Sequence, residues 1–229
     1  MNINGLQKLT LLDFPGHTAC TVFLAGCDMR CPFCHNSELI DVSADVIMTD
    51  EELLTFLKGR QGLLDGVAFT GGEPLLRKEL PDLLKEVKAL GFATKLDTNG
   101  AHPKALKSIL DARLVDYVAM DIKNSPEKYP QTSGKANLDI TKIKESIEII
   151  MYSGVDYEFR TTVVDQLHDE SSFIGIGQLI KGAKRYFLQA FTDRDTVVYS
   201  GFSAPAKETM EKYAEIVRKN VKNVEIRGL

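Results

Sequence analysis

Residues 18–36 read TACTVFLAGCDMRCPFCHN. The first seven, TACTVFL, are rich in β-branched and aromatic residues, the composition of a buried strand. Gly26 follows and eases a sharp turn out of that strand. Cys27, Cys31 and Cys34 then crowd into one loop with the spacing C-x3-C-x2-C. A strand that runs into a loop carrying reactive side chains suits a parallel α/β fold, whose sites gather at the carboxyl ends of strands.

Outward from this stretch, strand-like and helix-like segments alternate. Thr49-Asp50-Glu51-Glu52 has the form of a capping box that opens a helix, with Thr49 as N-cap. Residues 66–70 (GVAFT) form a second strand. Leu80, Leu83, Leu84, Val87 and Leu90 follow helical spacing before Gly91. Further strands are predicted at 92–97, 115–122, 156–164 and 185–191. Helices fall near 103–112, over Ile143 to Met151, and near 170–181. A helix at 206–219 and a short strand at 223–227 complete the chain. This order predicts parallel strands with helices outside. A closed eight-unit barrel takes about 250 residues, and only about six units are counted here. The expected fold is therefore α/β, a single-domain, partial and open (β/α)6 TIM-like barrel over residues 1–229, with a doubly wound sheet as runner-up. The polar stretch 124–138 reads as a mobile connection, and Gly5 to Gly16 as either a terminal strand and turn or part of a docking edge.

The 229 residues are 44% hydrophobic and 26% charged, which is ordinary for a globular protein. Lys+Arg 28 against Asp+Glu 32 gives −4, a poor balance for nucleic acid or an anionic membrane surface. No signal peptide or membrane span is recognisable, so a cytoplasmic protein with reduced thiols is expected. Four cysteines are too few for a disulfide scaffold. Three of them share the loop, so structural zinc would need a fourth ligand, for which His17 and His35 are candidates. Three thiolates also suit a [4Fe–4S] cluster with one iron left open. Cys20, inside the strand, reads as a buried thiol. His102 and His168 read as surface loop residues.

GCDMRCPFCHN, with Phe33 just before the last cysteine, resembles the signature of the radical S-adenosylmethionine (SAM) superfamily. The resemblance implies a [4Fe–4S] cluster on Cys27, Cys31 and Cys34, SAM bound to the open iron, and reductive cleavage of SAM to a 5′-deoxyadenosyl radical. It also places the backbone of His35 near the adenine. Thr70-Gly71-Gly72-Glu73-Pro74 is similar to the family's GGEP motif, which implies that Gly71, Gly72 and Glu73 meet the SAM amino group; alone it would read as a turn before a helix. Asp97-Thr98-Asn99-Gly100 and Met120-Asp121-Ile122-Lys123 resemble segments of the glycyl-radical-enzyme activating enzymes. That likeness implies a monovalent cation (Na+ or K+) on Asp97, Thr98, Met120 and Asp121, with Lys123 near the SAM carboxylate. Read from the residues alone, the oxygen-bearing side chains of Asp97, Thr98 and Asn99 could bind the ribose hydroxyls of a cofactor or a cation, or form an Asx-type turn, and Asp121 with Lys123 could face a cofactor or form a surface ion pair. Arg160, inside an apolar strand, needs a partner. The resemblance places it beside the SAM carboxylate or ribose, and Glu158 is the structural alternative. Related enzymes carry a histidine near residue 191, where this chain has Phe191, and Gln189 is a candidate to face the site instead.

Residues 5–40, including the LxDFPG form at Leu11 to Gly16, resemble most closely the activating proteins of anaerobic ribonucleoside-triphosphate reductase. The implied task is to abstract hydrogen from a glycine of that glycyl radical enzyme, with a flavodoxin- or ferredoxin-type electron donor. The alternatives are a small-molecule radical SAM enzyme, such as a 7-carboxy-7-deazaguanine synthase, and a non-catalytic zinc module. Anaerobically prepared Cys20→Ser protein is expected to keep its iron. Replacing Cys27, Cys31 or Cys34 abolishes the intact cluster, as read by iron analysis. Equal iron loss at Cys20 counts against this ligand assignment.

Overall fold

The strand at 18–24 is the third of ten in a computed structural model that describes residues 1–229. The strands are β1 (Asn2–Ile3), β2 (Gly5–Thr10), β3 (Ala19–Leu24), β4 (Met48–Thr49), β5 (Gly66–Gly71), β6 (Ala93–Thr98), β7 (Tyr117–Asp121), β8 (Asp156–Val163), β9 (Arg185–Ala190) and β10 (Asn223–Arg227). Eight of them make one sheet in the order β10-β9-β8-β7-β6-β5-β3-β2. Every pair from β3 to β10 is parallel, and β2 adds an antiparallel edge. The order never reverses, so there is no switch point and the doubly wound alternative falls. The outer strands β2 and β10 do not pair with each other, so the barrel stays open. The short terminal strand β10 is a seventh parallel member, one more than the six units counted from sequence.

The helices are α1 (Asp50–Lys58), α2 (Leu80–Ala89), α3 (Pro103–Asp111), α4 (Tyr129–Ser133), α5 (Ile140–Tyr152), α6 (Glu170–Leu179) and α7 (Lys207–Arg218). The capping box at Thr49 and Glu52 opens α1 as expected, and a second, Asp169 with Ser172, opens α6. Each longer helix buries one apolar stripe. In α5 it is Ile143, Ile147 and Ile150, spaced three or four apart. Those stripes meet the outward strand positions, such as Val118, Met120, Tyr157 and Phe159, in one continuous core. No helix is long and apolar enough to cross a membrane.

Residues in register across parallel strands share a face. The concave inner face therefore carries Lys95 and Asp97 of β6, Asp121 of β7, Glu158 and Arg160 of β8, and Gln189 of β9. At its other end Phe14 turns inward and packs with Ala19, Tyr117 and Ala119 as a small apolar plug. In that plug Phe14 stacks on His17 at 4.0 Å and tilts against Tyr117 at 6.0 Å. The N-terminal segment is thus a strand and turn, with Leu11 and Leu12 left exposed beside it.

Residues 124–138 correct an expectation. They hold α4, and Asn124, Ser125, Tyr129, Thr132 and Ser133 are buried. Their polar groups are satisfied internally: Asn124 Nδ2 donates to Thr132 Oγ1 at 2.8 Å and to the Leu167 carbonyl at 3.0 Å. A polar sequence is packed here because its partners come from elsewhere in the chain.

Glu158 ties the last strand to the sheet. Its carboxylate accepts two Arg227 bonds of 2.9 Å and one from Tyr117 Oη, also 2.9 Å. Glu158→Ala leaves a guanidinium and a buried phenol unpaired. Because Arg227 is partly exposed, the expected loss is about 2–3 kcal/mol in chemical denaturation.

Candidate active site

The carboxyl ends of the parallel strands and the cysteine loop enclose one cavity of about 280 Å³. Cys27, Cys31 and Cys34 all line it, and none is in a disulfide. Cys20 is fully buried away from it, where burial pushes its thiol up to about 12. Burial likewise pushes Cys27 up to about 11 and raises Cys31, so a metal is what would deprotonate them.

No three His, Cys, Asp or Glu side chains converge as ligands of a single ion would. A cubane presents separate irons, and thiolates spaced around one cavity suit it. Neither His17 nor His35 completes a zinc set. His17 stacks on Phe14, and His35 Nε2 sits 2.7 Å from the Thr192 carbonyl. The donor set fits a [4Fe–4S] cluster with an open iron.

The loop is held by backbone contacts that require glycine. Gly26 has φ +102°, and its N–H donates to Leu39 O at 2.9 Å. The Gly72 and Glu73 N–H groups donate to Leu24 O at 2.8 Å and Gly26 O at 2.7 Å. A Cβ on Gly72 would stand 2.2 Å from Gly26 O, which no side chain tolerates. α4 supports the other side, where Arg30 N–H donates to Ser133 O at 2.9 Å. Asp28 completes the brace: Lys135 Nζ lies 2.7 Å from it, Asn99 Nδ2 3.1 Å and His102 Nε2 3.4 Å. His102 is therefore an inward partner of Asp28 rather than a surface residue.

Glu73 differs from expectation. It is fully buried and does not line the cavity. Its carboxylate accepts from Thr98 Oγ1 at 2.9 Å, Asn99 N at 2.6 Å and Leu75 N at 3.1 Å. It clamps the ends of β5 and β6 together, and burial pushes it up to about 7. Gly71 and Gly72 do reach the cavity.

Asp97, Asp121, Lys123 and Arg160 meet on the cavity floor. Arg160 donates from Nε to Asp121 at 2.6 Å and from its terminal nitrogen to Asp97 at 2.9 Å. Lys123 Nζ donates to Asp121 at 2.8 Å, and Lys95 pairs with Asp97. Arg160 has thus taken these partners, while Glu158 belongs to Arg227. Burial alone would raise both aspartates. Lys123 and Arg160 outweigh it at Asp121, Arg160 and Lys95 outweigh it at Asp97, and both carboxyls sit below the usual range. Asp121 in turn holds Lys123 well above its ordinary value against the effect of burial.

The expected cation ligands are not assembled. Three cationic side chains (Lys95, Lys123, Arg160) face two carboxylates, an excess that repels a further cation and attracts an anion. The Met120 thioether is fully buried in the outer core, on the face opposite Asp121. Thr98 borders the cavity, but its hydroxyl is engaged with Glu73.

Phe33 and His35 form the far wall, with His35 stacked 5.3 Å from Phe191. Phe191 lies behind that wall, while Gln189 reaches the cavity. Thr70, Thr162, Asn36 and Met29 also line it and were not singled out from sequence. Thr70 and Thr162 could have been found, because strand alternation puts them on the face of Asp121 and Arg160. His168, expected on the surface, is only 4% exposed.

Residues 21–171 match the family model for the radical SAM superfamily. A Methanocaldococcus jannaschii protein assigned as a glycyl-radical enzyme activating enzyme is 31% identical over 99% of this chain and 96% of its own length. The pyruvate formate-lyase-activating enzyme of Clostridium pasteurianum is 33% identical over 75% of this chain and 72% of its own. A 7-carboxy-7-deazaguanine synthase of Thermococcus kodakarensis is 28% identical over 66% and 65%. Among solved structures, Streptococcus suis SuiB with its precursor peptide SuiA superposes with a TM-score of 0.72 at 13% identity, over 91% of this chain and 48% of that one. At that identity the likeness is one of fold.

Depressed carboxyls stabilise the fold above their unfolded value of about 3.9, and that contribution is lost as pH falls through the folded value. Asp121→Asn is expected to lower stability at pH 7 and to lose less on acidification from about pH 5 to pH 2 than the parent. Denaturant titrations across that range check it.

Proposed function

Because the chain belongs to the radical SAM superfamily, we propose that it is an activating enzyme that installs a glycyl radical on a partner protein. The observation that carries this reading is the single cavity in which three free thiols face a floor of paired charges with one cation in excess. Cys27, Cys31 and Cys34 would hold a [4Fe–4S] cluster, which would supply the reductive cleavage of SAM to methionine and a 5′-deoxyadenosyl radical.

The chain's own residues bind, orient and enclose. Lys123 Nζ uses one of its N–H donors on Asp121 and keeps others for a carboxylate. Arg160, held by two aspartates, presents a fixed positive edge beside it. Thr70, Thr162 and Gln189 offer hydroxyl and amide groups for the ribose and amino groups of SAM. Phe33 and the backbone at His35 shape the adenine end. Gly71 and Gly72 keep the rim low, while Glu73 acts from behind it by fixing Thr98 and Asn99.

The unpaired outer strands leave a lateral mouth that a glycine-bearing loop of a large partner can close. The near end-to-end match to an assigned activating enzyme supports a protein substrate. The resemblance in residues 5–40 favours anaerobic ribonucleoside-triphosphate reductase as the protein substrate, with a flavodoxin- or ferredoxin-type donor supplying this chain with the electron for SAM cleavage. In this reading residues 1–229 act as one radical SAM domain.

The test is anaerobic incubation of the cluster-loaded chain with SAM, reductant and the reductase, read by electron paramagnetic resonance. A glycyl doublet on the reductase is the expected result. Reductive SAM cleavage without it rejects that partner and turns attention to small-molecule substrates such as that of the deazaguanine synthases. Colourless protein with stoichiometric zinc after careful anaerobic work removes the radical chemistry altogether.

A further inference from the structure

From the end of β7 the chain runs Asp121-Ile122-Lys123, and a different side chain holds each of the three carbonyls. Tyr129 Oη donates to Asp121 O at 3.2 Å, Thr161 Oγ1 to Ile122 O at 2.6 Å, and His168 Nε2 to Lys123 O at 2.9 Å. All three donors are buried, and they come from α4, from β8 and from the loop after β8.

His168 Nδ1 lies 3.1 Å from both the Val164 N–H and the Val164 carbonyl. That carbonyl already accepts from the Leu167 and His168 N–H groups, so the Val164 N–H is the partner of Nδ1, which assigns the proton to Nε2, facing the Lys123 carbonyl. Burial holds the imidazole below its ordinary pKa, so it stays neutral in this role. Phe173 packs against the ring, and Tyr213 Oη donates to the His168 carbonyl at 3.4 Å, fixing the residue from behind. Thr161 is oriented in turn by Tyr186 Oη at 2.7 Å.

Water or one neighbouring N–H would satisfy such carbonyls. Three buried side-chain donors on three successive peptides instead over-determine the backbone path. What that path carries is Lys123, whose long, flexible stem reaches the cavity floor from a Cα that this clamp fixes. A small shift there changes where the ammonium sits relative to Asp121 and to any carboxylate above it.

We propose that His168, seconded by Tyr129 and Thr161, is a positioning residue that sets the reach of Lys123 and so tunes its grip on the SAM carboxylate. This rests on the reading of the cavity as a SAM site. The role is distinct from structural support in general because it acts through one named side chain.

The test is SAM titration of the full chain reconstituted anaerobically with iron and sulfide, with iron content and melting temperature measured on every variant. His168→Leu is expected to raise the Kd for SAM about fivefold, the loss of roughly one hydrogen bond. His168→Gln, whose amide can donate to the Lys123 carbonyl, recovers most of that loss. In a Lys123→Ala background His168→Leu adds no further weakening, because the interaction it supports is already gone. Tyr129→Phe, which keeps the ring volume and removes the Asp121 donor, repeats the test if His168→Leu does not fold. Unchanged SAM affinity in folded His168→Leu, a full additive penalty on Lys123→Ala, or no recovery by His168→Gln overturns the proposal. So does Lys123→Ala protein that binds SAM like the parent. Parent protein that takes up iron but no SAM overturns the reading of the cavity itself, a different failure from a parent that binds SAM while His168→Leu has no effect.

Discussion

Two carboxylates and three cations sit side by side on the concave face of the sheet, at the ends of three neighbouring strands. Burying any one of these charges alone would cost several kcal/mol. They are tolerable only as a set, and the set exists only if β6, β7 and β8 are adjacent and in one register. Asp121 lies opposite Arg160, and Asp97 lies one strand further, opposite Ala119. A slip of one residue would turn these side chains into the outer, apolar core. The face that closed barrels fill with branched apolar residues is here lined by paired charges at the cavity end, with the Phe14 plug at the other.

The same constraint explains the care with which the cysteine loop is placed. Three thiols must face the charged floor across one cavity, and a loop of this kind has little core of its own. It is anchored by Met29 and Phe33, which are buried, by the Gly72 and Glu73 N–H groups at the end of β5, by the Ser133 carbonyl of α4, and by the Asp28 brace to Asn99 and Lys135. Glu73 serves this purpose rather than facing the cavity. Its three hydrogen bonds lock the strand ends beneath the loop. The motif is thus divided: its glycines give close approach, and its carboxylate gives rigidity.

Much of this was legible along the chain. The parallel strands were found within about two residues because each is a short apolar run ending at glycine, asparagine or a charged residue. The opposite facing of Met120 and Asp121 was also legible, since Tyr117, Ala119 and Asp121 alternate with Val118, Met120 and Ile122. The likeness to a cation-binding segment obscured it. The packed state of 124–138 was not legible. Its composition is that of a loop, and the partners that bury it, Leu167 and Arg30, lie far away in sequence. His168 was hidden for the same reason, since nothing local reveals that its ring lies against the Lys123 carbonyl.

By itself the sequence determined the strand–helix order, the three-thiol loop and the chemistry those thiols invite, because each rests on local composition and short spacing. Only the tertiary structure decided which charges meet. The partners of Arg160, the ties of Glu73 to Thr98 and Asn99, and the holds of Thr161 and His168 on the Ile122 and Lys123 carbonyls join residues tens of positions apart. They depend on strand order, register and facing, and no local run of residues encodes those three together.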